Sequence, residues 1–173
     1  PSHLYPARDC NLAREESLRF RRLVAFHEAG RTVVAWDAGL RLPRVSIYPE
    51  EHTRGRILVG QEFPEGISAD DRREQWIYLR LLASGPLAVV MAGGRLPVEP
   101  QVGIEIDTRR IALLARRAGV EIDAVLRETA TRLAYLWEPV EAVVNALLMN
   151  GSVTGSLAAR LIRASHPGEL LED

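Results

Sequence analysis

His27 and Glu28 stand side by side in the run Val24-Ala25-Phe26-His27-Glu28-Ala29-Gly30-Arg31-Thr32. On a helix, the pattern H-E-x-x-H sets two imidazoles one turn apart on one face. They can then ligate a single zinc, while the Glu activates a zinc-bound water as general base. This chain supplies the first His and the Glu, but the fourth position after His27 is Arg31. A guanidinium has five donors, a fixed positive charge and no lone pair for a metal, so Arg31 cannot be a ligand. Two plainer assignments stand beside the metal one. His27, on a largely apolar stripe, is equally a hydrogen-bonded core histidine, and Glu28 is equally half of an i,i+3 ion pair with Arg31.

The elements that must position these groups can be read from periodicity. Phe20, Val24, His27, Arg31 and Val34 recur at steps of four and three, which predicts a helix from about Leu12 to Ala38. Gly39 is its natural C-cap and Pro43 forbids continuation. The period then changes to two at Val45 and Ile47, and a second apolar run follows at Ile57-Leu58-Val59. The two read as short strands of a hairpin or small sheet. A helix is expected from about Ala69 to Met91, N-capped by Ser68, with a kink or break at Gly85-Pro86. Further helices are expected at about 105–118, 122–137, 140–149 and 155–164, with Asn150-Gly151 as a stop.

Composition narrows the class. The chain has 173 residues, Lys+Arg 22 against Asp+Glu 23, a net charge of -1 and 47% hydrophobic residues. That is the mix of an ordinary globular protein, long enough for one domain with one core. The expected division is an N-terminal arm at 1–12, a single domain at 13–165 and a C-terminal tail at 166–173. No apolar run reaches the ~18 residues of a membrane span, and the N-terminus lacks a signal-peptide pattern, so the expected location is cytoplasmic. Near-neutral charge argues against a dedicated nucleic-acid binder. Every basic residue among the 22 is Arg, and the single Cys10 rules out a disulfide framework or a Cys-rich metal site. The paired arginines read as solvated helix faces, and Trp36, Trp76 and Trp137 as core.

The run around His27 resembles the HEAGH helix of the peptidase domain of FtsH-type ATP-dependent zinc metalloproteases, and the similarity continues in order along the chain. Pro43-Arg44-Val45-Ser46-Ile47-Tyr48-Pro49 is similar to the strand after the zinc helix, and Gly55 to Gly60 to the edge strand beyond it. Leu82-Ala83-Ser84-Gly85-Pro86-Leu87-Ala88 resembles the family's AGPAAE helix. Gly103-Ile104-Glu105-Ile106-Asp107 resembles the segment that carries its third zinc ligand. Leu147 to Gly155 is similar to its C-terminal helices. The resemblance covers roughly residues 18 to 163. It implies an α+β, predominantly helical fold: a zincin-like helical domain with a small β-sheet or hairpin.

By that resemblance His27 is a zinc ligand, Glu28 the general base, Asp107 the third protein ligand and a polypeptide the substrate, with homo-oligomers possible. Three departures bear on activity. Arg31 occupies the second His position, and Val89 stands where the helix pattern has Glu. The chain has no Lys, hence no phosphate-binding G-x-x-x-x-G-K-[ST] loop, so any ATP-driven unfolding of substrate falls to a separate AAA+ ATPase. The expected state is a peptidase fold with impaired or absent proteolysis and zinc absent or weakly held. The alternative is a non-catalytic peptide-binding or regulatory module that keeps the cleft and takes an extended peptide by β-addition at 57–59. Arg31 is expected to bridge Glu28 or Asp107 in place of the lost cation. His52, in the loop between the two strands, is a possible compensating ligand.

Overall fold

A computed structural model describes residues 7–48, 71–93 and 104–166, with the side chains of 7–13 and 104–109 outside the description. Among the described residues there are six helices and one two-stranded sheet. In chain order these are α1 (Ala7–Asp37), β1 (Val45–Ser46), α2 (Arg72–Met91), α3 (Ile104–Arg117), α4 (Ile122–Tyr135), α5 (Trp137–Asn150), β2 (Ser152–Val153) and α6 (Gly155–Ser165). The predominantly helical class with a small sheet is therefore observed.

The helix boundaries follow local chemistry. α1 begins at Ala7, inside the stretch expected as an arm, and is stopped just past Asp37 by Gly39. There φ is +74°, and Leu40 N–H returns to Ala35 O at 3.0 Å. An L side chain rarely adopts that backbone, so glycine is the fitting stop. Ser68 lies outside the described residues, and the N-cap of α2 is Asp71. Its carboxylate accepts from Arg73 N–H at 2.9 Å and Glu74 N–H at 3.1 Å. α2 then runs on through Gly85-Pro86 as one helix, not two, with both residues buried. Pro has no N–H to give the turn before it, and packing on both sides outweighs that loss.

β1 has a partner that the sequence did not point to. Val45 pairs with Val153 and Ser46 with Ser152, antiparallel, so the strand closes on the connection between α5 and α6. Ile57–Val59 lies outside the described residues. Periodicity could not reveal this pairing, because a two-residue strand carries no period. Its signature is steric instead. Gly151 has φ +74°, and a Cβ there would sit 2.1 Å from Cε2 of Tyr48.

Two apolar clusters form around α2, which packs against α1, α3 and α4. The larger gathers Ala25, Phe26, Ala29, Val33 and Val34 of α1 with Ala88 and Val89 of α2, Val140, Val143, Val144 and Leu147 of α5, and Ile162 of α6. The smaller joins Leu79, Leu82 and Ala83 of α2 to Ile111, Leu114 and Ala115 of α3 and Val125 of α4. Val89 is fully buried in the larger cluster, so at this position a core side chain stands where the family pattern has an acid. The tryptophans are half-buried rather than fully enclosed. Trp76 donates its indole N–H to Glu128 and Trp137 to Glu141, each at 3.2 Å.

α1 and α2 cross closely at Gly30, which leaves room for the other helix. A Cβ on Gly30 would lie 2.6 Å from Ala88 Cβ and 2.7 Å from Ser84 O. The second of these is backbone and cannot rotate away. Gly30→Ala is therefore expected to lower stability by about 1–3 kcal/mol, despite alanine's better helix propensity. A shift of the urea midpoint at constant slope measures it.

Candidate functional site

His27 lies on the inner side of α1, 4% exposed, and points at α2. Its ring rests on Gly85. A Cβ built there would stand 2.5 Å from Nε2, 2.6 Å from Cδ2 and 2.8 Å from Cε1. Only glycine leaves room for an imidazole at that depth. The fold thus brings together two segments 58 residues apart in sequence, His27-Glu28 and Ser84-Gly85-Pro86, both of which the sequence singled out.

The other ring nitrogen faces Glu28. Nδ1–H donates to Oε1 at 3.2 Å, a bond between adjacent residues that the helix itself turns about 100° apart. Glu28 is 31% exposed at its side chain. Burial pushes its carboxyl upward, but the hydrogen bond from His27 and the charges of His27 and Arg31 outweigh that and hold it below the ordinary 4.5. Glu28 is accordingly ionised at neutral pH and committed to its neighbour.

Arg31 occupies the next turn, half-buried, and adds to the field on Glu28 from a distance. The i,i+3 ion pair with Glu28 is not formed: among the described residues the carboxylate's charged partner is His27. His27 is thus buried with Glu28 as a hydrogen-bond acceptor and Gly85 as its seat. Asp107 falls in α3, which packs on α2 and α4, but its side chain lies outside the described residues, and so does His52.

The fit to zinc can be judged from the donors. A catalytic zinc takes three protein ligands. Among the described residues no three His, Cys, Asp or Glu side chains converge. His27 has Nδ1 bound to Glu28, and its Nε2 is fully buried over Gly85. Magnitudes identify the decisive obstacle. A hydrogen bond to a charged group contributes about 1.5–3 kcal/mol, whereas a structural zinc site releases on the order of 10–16 kcal/mol. The His27–Glu28 bond alone would yield to a metal; the cation at Arg31 in place of a donor would not. The described residues do not fit zinc.

A second polar cluster escaped the sequence reading. Asp37, at the end of α1 and only 10% exposed at its side chain, accepts two bonds from Arg132 Nε, at 2.9 Å to each oxygen, and another from Arg132 Nη2. Arg80 of α2 reaches Asp37 at 3.4 Å and Glu128 of α4 at 3.5 Å. The guanidinium of Arg132 also lies 5.0 Å from the ring centre of Tyr135. With Thr131 these residues line an open groove of about 640 Å³. Two cations and two anions balance there, and the cluster ties α1, α2 and α4 together at one end. Its members are 43 to 95 residues from Asp37, so no local pattern could have flagged them.

No protein-family model matches the chain, and no curated protein sequence matches it.

The depressed acidity of Glu28 has a measurable sign. A carboxyl held lower in the folded state than in the unfolded chain stabilises the fold above its ordinary value, and that contribution is lost as pH falls through the depressed one. The stability gap between the parent and Glu28→Gln is expected to shrink steadily as pH falls below 4.5. Urea titrations at a series of pH values measure it.

Proposed function

We propose that this chain is a peptidase-like domain of the FtsH type whose metal chemistry has been replaced by an internal hydrogen-bonded pair, and that it holds polypeptide without cutting it. One observation carries the reading. The two segments with the most specific resemblance, HEAGR on α1 and ASGPLA on α2, meet at a ring-on-glycine contact between His27 and Gly85. Segments alike by accident have no reason to be neighbours in space.

The absence of cleavage follows from what the side chains do. In the active pattern a Glu beside the first His is open to accept a proton from water. Here Glu28 accepts from His27, and Arg31 offers only donors. A general base satisfied by its neighbour and a ligand position holding a fixed cation leave no activated water. What remains is a helical body with a partly open polar turn, Glu28 to Arg31, beside the α1–α2 crossing. Polypeptide is the substrate class that the resemblance supplies, and unfolding of folded substrate belongs to a separate AAA+ ATPase.

Metal analysis tests this reading. The purified protein is expected to carry far less than one zinc per chain and to leave casein intact. Arg31→His restores the H-E-x-x-H spacing and is expected to raise zinc affinity by at least about 10–100-fold. Any cleavage that variant gains should vanish with chelator or with Glu28→Gln. Stoichiometric zinc in the parent would overturn the metal-free reading. A folded Arg31→His with no gain in zinc would overturn the placement of the family's ligands.

A further inference from the structure

Among the described side chains of α1, packing differs sharply along the helix. Between Ala25 and Val34 almost every residue is buried, whereas Arg14 to Phe20 and Arg22 are exposed around the whole circumference. Glu15, Leu18 and Arg22 stand at i, i+3 and i+7 and so share one stripe. That stripe continues into Ala25 and Ala29, both fully buried. The same face is covered by other helices below and left open above, with Leu18 56% exposed at its centre.

After the exposed Arg14, which lies beside the stripe, charge along the open turns runs in a definite order. Glu15 and Glu16 come first, Leu18 follows, and Arg19 and Arg22 come after. The intrahelical Glu15–Arg19 pair that the spacing allows is not formed, and among the described residues Glu16 has no ion pair either. Arg22 lies over the ring of Phe26 at 5.6 Å while remaining exposed. An acid–apolar–base order is self-complementary when one copy is reversed end for end. Turning a second α1 about the midpoint between Leu18 and Arg19 sets Glu15 against Arg22 and Arg22 against Glu15. Each pair lies about 5 Å from the axis at 1.5 Å rise per residue, and the two Leu18 side chains meet across it. A parallel arrangement would set like charge on like.

We infer that the N-terminal half of α1 pairs antiparallel with the same segment of a second copy of this chain, making a twofold dimer. The interface is isologous, as twofold symmetry demands, and small, so the dimer is weak and salt-sensitive. This pairing is independent of the peptidase-like reading, since it uses no residue of the His27 site.

Sedimentation equilibrium on the full chain, from about 1 to 200 μM at low salt, tests it. The parent is expected to show a monomer–dimer equilibrium that weakens as salt is raised. Glu15→Arg with Glu16→Arg, and separately Arg19→Glu with Arg22→Glu, should each weaken self-association at least about tenfold, since each leaves like charges opposed. An equimolar mixture of the two variants should associate more strongly than either variant alone, because at the four exchanged positions one then presents only cations and the other only anions. All four positions are exposed, and unchanged circular dichroism checks the folds. A parent that stays monomeric at the highest concentration overturns the inference, as that surface would then serve a different protein or only water. Variants that associate as the parent does, or a mixture that stays monomeric, overturn it equally.

Discussion

The close crossing of α1 over α2 is the constraint from which the rest of the molecule follows. It exists because each helix has a glycine at the contact. Gly30 admits Ala88 and the backbone of Ser84, and Gly85 admits the imidazole of His27. Bringing the axes together at these points lets small residues (Ala25, Ala29 and Ala88) complete a tight layer, while α5 and α6 close the larger cluster behind α1. Interiors are packed at crystal-like density, so a methyl group too many at this crossing propagates as strain. α2 carries α3 and α4 on its other side, so its orientation against α1 sets both apolar clusters at once.

The site inherits its properties from that crossing. A histidine at 4% exposure needs its nitrogens accounted for, and the helix supplies Glu28 as the acceptor for Nδ1. The cost of partly burying the carboxylate is offset by the same bond and by two positive charges, which is why its acidity moves down and not up. Arg31 contributes by field and not by contact. The ionic group that does bridge helices lies elsewhere, at Asp37. There a bidentate arginine from α4 and a second arginine from α2 fix the far end of α1. Of the two polar clusters, the one with a recognisable motif shows Glu28 paired with its helical neighbour His27, and the one without a motif holds helices together.

Much of this was legible in the sequence where a local rule applied. The 3.6 period gave α1, α4 and α6, and Gly39 marked a stop that its positive φ requires. His27-Glu28 and Gly85 were singled out by type and spacing, and they share one contact. What escaped was what has no local signal. A two-residue strand such as Ser152–Val153 looks like a turn between helices until Val45 is placed against it. Nothing in the sequence singles out Asp37, Arg80 and Arg132, because their partners lie on other helices. The Glu28–Arg31 pair was expected on helical spacing alone, but a nearer donor competed successfully for the same carboxylate. The side chain that caps α2 is Asp71, one position outside the helix.

The central proposal is that His27 serves the α1–α2 crossing and Glu28, and not a metal. The nitrogen resonances of its imidazole report this directly, assigned by their loss in His27→Gln and recorded in chelator and then with equimolar zinc. The account predicts a ring whose Nδ1 carries the proton toward Glu28 and whose two nitrogen shifts are the same in both conditions. Movement of either nitrogen to a metal-bound value, saturating at one zinc per chain, would contradict it.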